Sequence, residues 1–408
     1  MTLRCDIAIV GAGVVGAALA AALADSGLDI ALVEAREPQP FDANAPLDLR
    51  VFAISRASEN LLRAVGAWET IAAARLCGYT GMEVWDTGGG RIEFHAADVG
   101  EPDLGHIIEN RLLQSALLDR IAARGHVKTL WPRACTGLSP EADAMALTLD
   151  SGETVRARLV VAADGAGSRL REWAGIQAPS HDYRQRAVVS HLTTEQRHRR
   201  IARQAFLDDG VLALLPLADG RVSLIWSTAA AHAEELLAMP DQEFCTAISA
   251  AGSYALGAVT AADRRASFPL VRMHAGRYVR PRVALIGDAA HAVHPLAGQG
   301  VNLGLLDAAA LAQTVADAAA RGRDIGAIGV LRRYERWRRS ENAAMMWSLD
   351  GLQKLFGARA LPLRQARSAG LSTVDRMQPV KNAFIRRALG ISGDLPDLVR
   401  GAHQGVSG

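Results

Sequence analysis

The sequence predicts an α/β chain: a nucleotide-binding unit built on a parallel sheet, interrupted by a mixed-sheet domain and followed by a C-terminal helical region. Three observations predict it. Apolar runs that read as buried parallel strands occur early (Cys5 to Val10), in the middle (Leu159 to Ala163) and late (Val283 to Gly287). Between the last two, residues 184 to 230 alternate apolar and polar side chains, as antiparallel strands do. Beyond residue 345 the pattern is helical and basic, with eight Lys or Arg between Gly351 and Ile391 against the single acid Asp375.

Length and composition allow this plan. The chain has 408 residues, half of them apolar, enough for two interlocked domains. Its 45 basic and 43 acidic residues give a net charge of +2, which offers no electrostatic case for nucleic-acid binding. Cys5, Cys77, Cys135 and Cys245 form no C-x-x-C pair, which fits a reduced, cytoplasmic protein without structural zinc.

The first element is strand Cys5 to Val10, followed by a glycine turn, a helix to about Asp25 and strand Asp29 to Val33. Ile7 to Ala24 is an uncharged run of membrane-spanning length. Glycines at 11, 13 and 16 and the flanking Asp6 and Asp25 favour a buried strand, turn and helix instead. Residues 79 to 94 read as a hairpin across a GGG turn, and Arg111 to Arg124 as a helix with an apolar stripe. A helix is expected over 233 to 250. A long alanine-rich helix is expected to about Ala320, after GDAAH and a second glycine-rich loop.

Gly11, Gly13 and Gly16 make G-x-G-x-x-G between a strand and a helix. The spacing supplies a tight turn, close backbone approach to a pyrophosphate and close helix–strand packing. The helix start offers free N–H groups to phosphates. Glu34, at the end of the second strand, can accept the ribose hydroxyls of an adenosine half. Two further segments choose the dinucleotide: VVAADGAGSRLR sets Asp164 just past a buried strand, and ALIGDAAHAVHPLAGQGVNLG sets Asp288 past another, then adds the second glycine loop. An NAD-linked dehydrogenase has no use for that loop; a flavin, whose ring lies far from its adenine, does.

These segments resemble the aromatic hydroxylase superfamily of flavoproteins that share the fold of para-hydroxybenzoate hydroxylase. Within it the chain resembles the ubiquinone-biosynthesis hydroxylases over nearly its whole length. The likeness is carried by ANAPLDLRVFAISRASENLLRAVGAW, CGYTGMEVWD, LGHIIENRLLQSAL, GDAAH…HPLAGQGVNLG, RRYERWRRS and DLPDLVR, and is nearest to the bacterial 2-polyprenylphenol 5-hydroxylase branch. The resemblance implies an FAD-binding Rossmann-like domain (1–75, 100–180 and 264–345), a mixed-sheet substrate domain (76–99 and 181–263) and a C-terminal helical region (346–408). It implies that Gly11, Gly13, Gly16 and Glu34 hold the ADP half, with Arg50, Arg111 and Gln114 near the pyrophosphate and flavin. Asp288 would hydrogen-bond the ribityl and pyrophosphate region, and Pro295, Gly298, Gly300 and Asn302 would line the isoalloxazine. Asp164 belongs to a family motif linked to FAD and the transient reductant. Ala292 stands where relatives often carry threonine, a departure that touches one hydroxyl and not the loop.

The chemistry so implied is ring hydroxylation: FAD reduced by NADPH or NADH, reaction with O2, and oxygen transfer to an electron-rich phenol carrying a polyprenyl chain. Such a site needs a dry cavity, for which Leu215 within VLALLPL, Trp226 and Phe268 are the expected walls. No catalytic side chain is assigned beyond the flavin and the Pro295 loop. No second dinucleotide unit exists for the nicotinamide cofactor, since DTGGGR (Asp86 to Arg91) lies in a hairpin, so that cofactor is expected to dock transiently. His291 and His294 lack a third ligand, and no metal is expected.

Two features leave alternatives. The same nucleotide motifs serve another ring-position hydroxylase of the pathway, a flavin oxidoreductase of the prenyl-reductase type without oxygen insertion, or a non-catalytic flavoprotein in an assembly. The basic C-terminal run, with Arg364, Arg367, Lys381, Arg386 and Arg387, is either a solvated helix face or a contact with an anionic membrane surface or a partner in a ubiquinone-biosynthesis assembly. The latter gives a cytoplasmic protein peripherally associated with membrane.

Overall fold

The computed structural model describes residues 2–292, 298–357 and 373–401. Its first sheet has the order Val279–Arg280, Val283–Leu285, Thr154–Ala162, Thr2–Val10, Ile30–Val33, Val127–Leu130. The four pairings from Val283–Leu285 across to Val127–Leu130 are parallel, and the central strands are apolar because both of their faces are buried, at residues 7–10, 30–33 and 159–162. Helix Val14–Leu23 packs against one side with Asn110–Ala122 and Gln299–Ala320 as neighbours, and Ile7, Ile9, Leu19, Leu32 and Leu311 lie in the resulting core. The uncharged run at the start of the chain is therefore strand and buried helix. Gln299–Ala320 is also long and apolar enough to span a membrane, but two thirds of its most apolar stretch is buried inside the protein.

The second sheet has nine strands and is mixed. Strand Ser180–Thr194 pairs antiparallel with Val222–Ala229 and with Ala266–His274, whereas Ile201–Leu207 pairs parallel with Gly81–Asp86 of the expected hairpin. One face of this sheet is buried under two helices. The single helix expected over 233 to 250 is in fact two, Ala230–Ala238 and Asp241–Ala251. Pro240 explains the break: it lacks an N–H for the first helix and pre-sets φ for the start of the second. A three-stranded sheet (Val51–Ile54, His106–Glu109, Cys77–Gly78) packs Ile54 and Ile108 into the core of the first sheet and Val51 and Ile107 against Leu215 of the second.

One strand pairs outside its expected unit, and one helix crosses an expected border. Strand Ala266–His274, placed by sequence after the return at 264, still pairs in the second sheet, because SFPLVRM carries too weak an alternation to mark it. One helix, Ile328–Gly357, runs straight through residue 345. Beyond it, helix Gln378–Ala388 seats Ile385 and Leu389 on the hairpin and the turn after it, through Ala96, Leu104 and Phe94. The four cysteines are free thiols.

Candidate flavin site

The glycine turn shows why three glycines are needed for three different reasons. Gly11 has φ +107°, and a Cβ there would lie 2.3 Å from Ala163 O. A Cβ on Gly16 would lie 1.9 Å from Gly11 O, so the helix could not sit on the strand. Gly13 is the opposite: a Cβ there would meet nothing within 4 Å. That open space lies at the N-terminus of helix Val14–Leu23, where unpaired N–H groups favour a phosphate. Glu34 Oε2 accepts the Ala12 N–H at 2.8 Å and Oε1 accepts that of Arg36 at 3.2 Å, while Gln114 Nε2 donates to Ala12 O at 2.7 Å. Glu34 and Gln114 thus hold the turn's middle residue from both sides. Gly13→Ala is expected to leave the melting temperature near wild type but weaken FAD about tenfold, since the added methyl enters only the open space; flavin fluorescence titration beside a thermal melt checks this.

Around this turn the structure gathers most of the expected residues. Arg50 O accepts the Asn110 N–H at 2.9 Å, which sets Arg50 beside Arg111; both side chains are exposed, with Arg50 over the Phe52 ring and Arg111 Nε 3.9 Å from Asp48. Asp164 follows the strand that jams against Gly11. Its Oδ2 accepts the Leu170 N–H at 3.3 Å, but its Oδ1 is buried with no partner, and burial pushes its pKa up. Asp288 is exposed in the turn Gly287–Ala289. Gly287 lies against Val15 of the first helix, as does Gly304, so the third segment docks directly on the dinucleotide turn.

Gly298 takes φ +61° at the start of helix Gln299–Ala320, with Gly300 in its first turn. Asn302 ties the start of this helix to another segment of the chain. It is 2 % exposed; its Oδ1 accepts from Ser55 N and Ser58 Oγ at 2.9 and 2.7 Å, and its Nδ2 donates to Ala53 O and Gly298 O at 2.8 and 3.0 Å. With both ends of its amide spent on protein, Asn302 sews the helix start to the Ala53–Ser58 segment. Pro295 and His294 lie outside the described residues. His291 is committed to Asp307 Oδ2 at 2.5 Å.

The three expected cavity walls separate. Strand alternation puts Leu215 on the sheet face toward the small sheet, where it joins Val51, Ala53 and Ile107; Ala53 in turn meets Gly298. Phe268, paired with Ala187 and 44 % exposed, shares that face by register and is no closed wall. Trp226 is a correction. It faces the other way, 4 % exposed, packed with Phe244 and Leu236 beneath the two helices. A period of two sends neighbouring positions to opposite faces, and composition alone could not say which face the two helices cover.

Other expected roles also shift. Asp86 Oδ1 accepts the Gly88 and Gly90 N–H groups at 3.0 and 2.8 Å, so DTGGGR folds as a turn closed on itself. Lys381 is buried, 3.6 Å from both Asp98 and Asp375, and Arg387 pairs with Glu341 at 3.0 Å; neither is a free surface cation. Arg364 and Arg367 fall outside the described residues. Glu59, Asp103 and His106 cluster closely enough to suggest a metal, but Arg56 bonds both carboxylates and fills the role of the cation.

Sequence reasoning missed Asp307, Arg338 and Asn342, which form a buried network with His291 behind the Asp288 turn. The available signal was an acid inside the run GLLDAAALA, on a helix otherwise built for burial. Burial alone would raise the pKa of Asp307, but His291, Arg338 and Asn342 hold it down at about 2. Nearby, His274 accepts from or donates to Tyr278 Oη at 3.0 Å, and burial, with His291, Arg339 and Arg272 close by, lowers its pKa to about 4. Between pH 6.5 and 4 the unfolded chain therefore binds a proton that the folded His274 refuses, and stability falls as pH drops through that window. His274→Gln should flatten part of this slope in denaturant titrations run from pH 7 to 4.

A glycine turn over open space, an orphaned carboxylate oxygen beside it and a third loop docked on the same helix define a flavin-binding enzyme of two domains. Residues 4–347 match the model of the FAD binding domain family. The ubiquinone hydroxylase UbiL of Rhodospirillum rubrum is 38 % identical over 404 residues, covering 97 % of this chain and 92 % of that protein. The 3-demethoxyubiquinol 3-hydroxylase of Escherichia coli is 38 % identical over 386 residues, covering 95 % and 98 %. The solved structure of pqsL, a probable FAD-dependent monooxygenase from Pseudomonas aeruginosa, superposes with a TM-score of 0.76 at 24 % identity, over 90 % of this chain and 99 % of that one. The chain belongs to the FAD binding domain family, in its aromatic-hydroxylase branch with the fold of para-hydroxybenzoate hydroxylase. It is an FAD-dependent monooxygenase.

Proposed function

We propose that this enzyme hydroxylates the aromatic ring of a polyprenylated phenol in ubiquinone biosynthesis, with NADPH or NADH as transient reductant and O2 as the source of oxygen. The observation that carries this reading is the apolar cluster of Leu215, Val51, Ala53 and Ile107, which joins the second sheet to Gly298 at the start of helix Gln299–Ala320. It suits a ring substrate with a hydrocarbon tail. FAD would supply the oxygen chemistry when bound. Gly11, Gly13, Gly16 and Glu34 would hold its ADP half, Arg50, Arg111 and Gln114 its middle, and Asp164, Asp288, Gly298 and Gly300 the flavin end. The protein's own part is to hold, orient and dry the ring face.

Two ring positions compete. The segment likeness favours position 5 of a 2-polyprenylphenol, and the name of the Escherichia coli relative favours position 3 of a 3-demethoxyubiquinol. We favour position 5. Quinone profiling of a deletion strain decides: accumulation of the polyprenylphenol lacking the 5-hydroxyl supports it, and accumulation of the demethoxy intermediate assigns position 3.

A polyprenyl tail is drawn from lipid, so we also propose that the cytoplasmic enzyme touches an anionic membrane through helix Gln378–Ala388. Lys381 and Arg387 are paired within the protein, and among the described residues at and just before this helix Arg376 and Arg386 are exposed beside exposed Met377 and Phe384. Phe384→Asp with Arg386→Glu should lower sedimentation with anionic liposomes about tenfold; unchanged sedimentation contradicts the contact.

A further inference from the structure

Asp307 is fully buried, and each of its oxygens takes two donors. Oδ2 accepts from Gly287 N–H at 3.2 Å and His291 Nε2 at 2.5 Å. Oδ1 accepts from Arg338 Nε at 2.9 Å and Asn342 Nδ2 at 3.0 Å, and Arg338 Nη2 donates to Asn342 Oδ1 at 2.7 Å. Arg338 and Asn342 sit one helical turn apart on Ile328–Gly357 and are themselves buried. Taking this carboxylate and guanidinium out of water is costly, and a well-packed apolar pair would serve stability as well. The geometry suggests what the charge is for. Gly287 and His291 bracket the short segment that carries exposed Asp288, and a single oxygen ties both ends of that segment.

We propose that Asp307 is a positioning residue for FAD: it clamps the turn from Gly287 to His291 so that Asp288 is presented to the cofactor, and Arg338 and Asn342 hold Asp307 in place. The proposal rests on the assignment of Asp288 to FAD. The charge matters as well as the shape. An asparagine at 307 has one acceptor oxygen and a donor NH2, so one pair of donors would face another donor. The ties to Ile328–Gly357 also make the flavin-facing turn dependent on the position of that helix.

The test is FAD affinity by fluorescence titration of apoprotein for wild type, Asp288→Asn, Asp307→Asn and the double variant, with a thermal melt of each. If Asp307 acts through Asp288, each single variant weakens FAD at least about tenfold, the loss expected for a hydrogen bond to a charged group. The double variant should then be no worse than the weaker-binding single. His291→Ala, which leaves the Asp307–Arg338 pair intact and guards against a misfolded Asp307→Asn, should weaken FAD, and His291→Gln should recover most of the loss by restoring a donor. Losses that multiply in the double variant, or a His291→Gln no better than His291→Ala, overturn the clamp while leaving Asp288 in place. Unchanged affinity in Asp288→Asn overturns the assignment beneath it and the proposal with it.

Discussion

Gly16→Ala is expected to yield a colourless protein that loses FAD on purification and binds it at least about a hundredfold more weakly in titration. The reason is steric and local. The new methyl would stand 1.9 Å from Gly11 O and 3.1 Å from Ala163 Cβ, and neither neighbour is the free end of a flexible side chain. Helix Val14–Leu23 must lift off the strand pair Thr2–Val10 and Thr154–Ala162. That movement costs about 1–3 kcal/mol as overpacking, and it moves the helix N-terminus away from the phosphates it would face. The displaced helix also carries Val15, on which Gly287 and Gly304 rest, so the third flavin segment is disturbed too. Contrast with Gly13→Ala separates the two roles. If Gly13→Ala melts as low as Gly16→Ala, the open space at Gly13 is not a ligand cradle but a packing requirement.

Trp226→Ala should destabilise the second domain by about 3–5 kcal/mol, the range for removing a buried large aromatic side chain. Its ring fills the space between the nine-stranded sheet and helices Ala230–Ala238 and Asp241–Ala251, against Phe244, Leu236 and Val188. The same substitution should leave the flavin spectrum and the product unchanged wherever the protein is folded. Leu215→Ala should do the reverse: a smaller stability loss, because Leu215 is only partly buried, and a clear rise in KM for the prenylated substrate. Denaturant unfolding followed with steady-state kinetics checks the pair. A Trp226 variant that is stable but altered in product would put the cavity on the wrong face of the sheet.

Much of this molecule is legible in its sequence where one short segment contains the whole physical reason. Gly11, Gly13 and Gly16 between an apolar strand and an apolar helix need no distant partner to be read, and Glu34 lies close by in the same unit. Segments Asp164 and Asp288 are readable for the same reason: each follows a buried strand of a parallel sheet, where sites form. What depends on distant pairing is harder. Trp226 and Leu215 are both apolar residues in strands, and only the register with Leu212 and Ser223 tells which face each takes. Asn302 looks like a loop residue at the flavin until Ser55, Ser58 and Ala53 arrive from far along the chain to use up its amide. Lys381 reads as a surface cation until Asp98 comes to meet it. The Asp307 network joins residues on two helices and a turn, and only its lone acid leaves a trace in the sequence.

Insertion of oxygen from O2 into an aromatic ring is the reaction expected of this flavoenzyme. It is tested most directly by turnover of the purified, FAD-loaded enzyme with a short-chain prenylphenol and NADPH or NADH under 18O2, followed by mass spectrometry. One 18O atom per ring hydroxylated is the expected result, with no label when 18O is supplied as water. A product with no label, or one whose prenyl double bonds are reduced and whose ring is untouched, would contradict it.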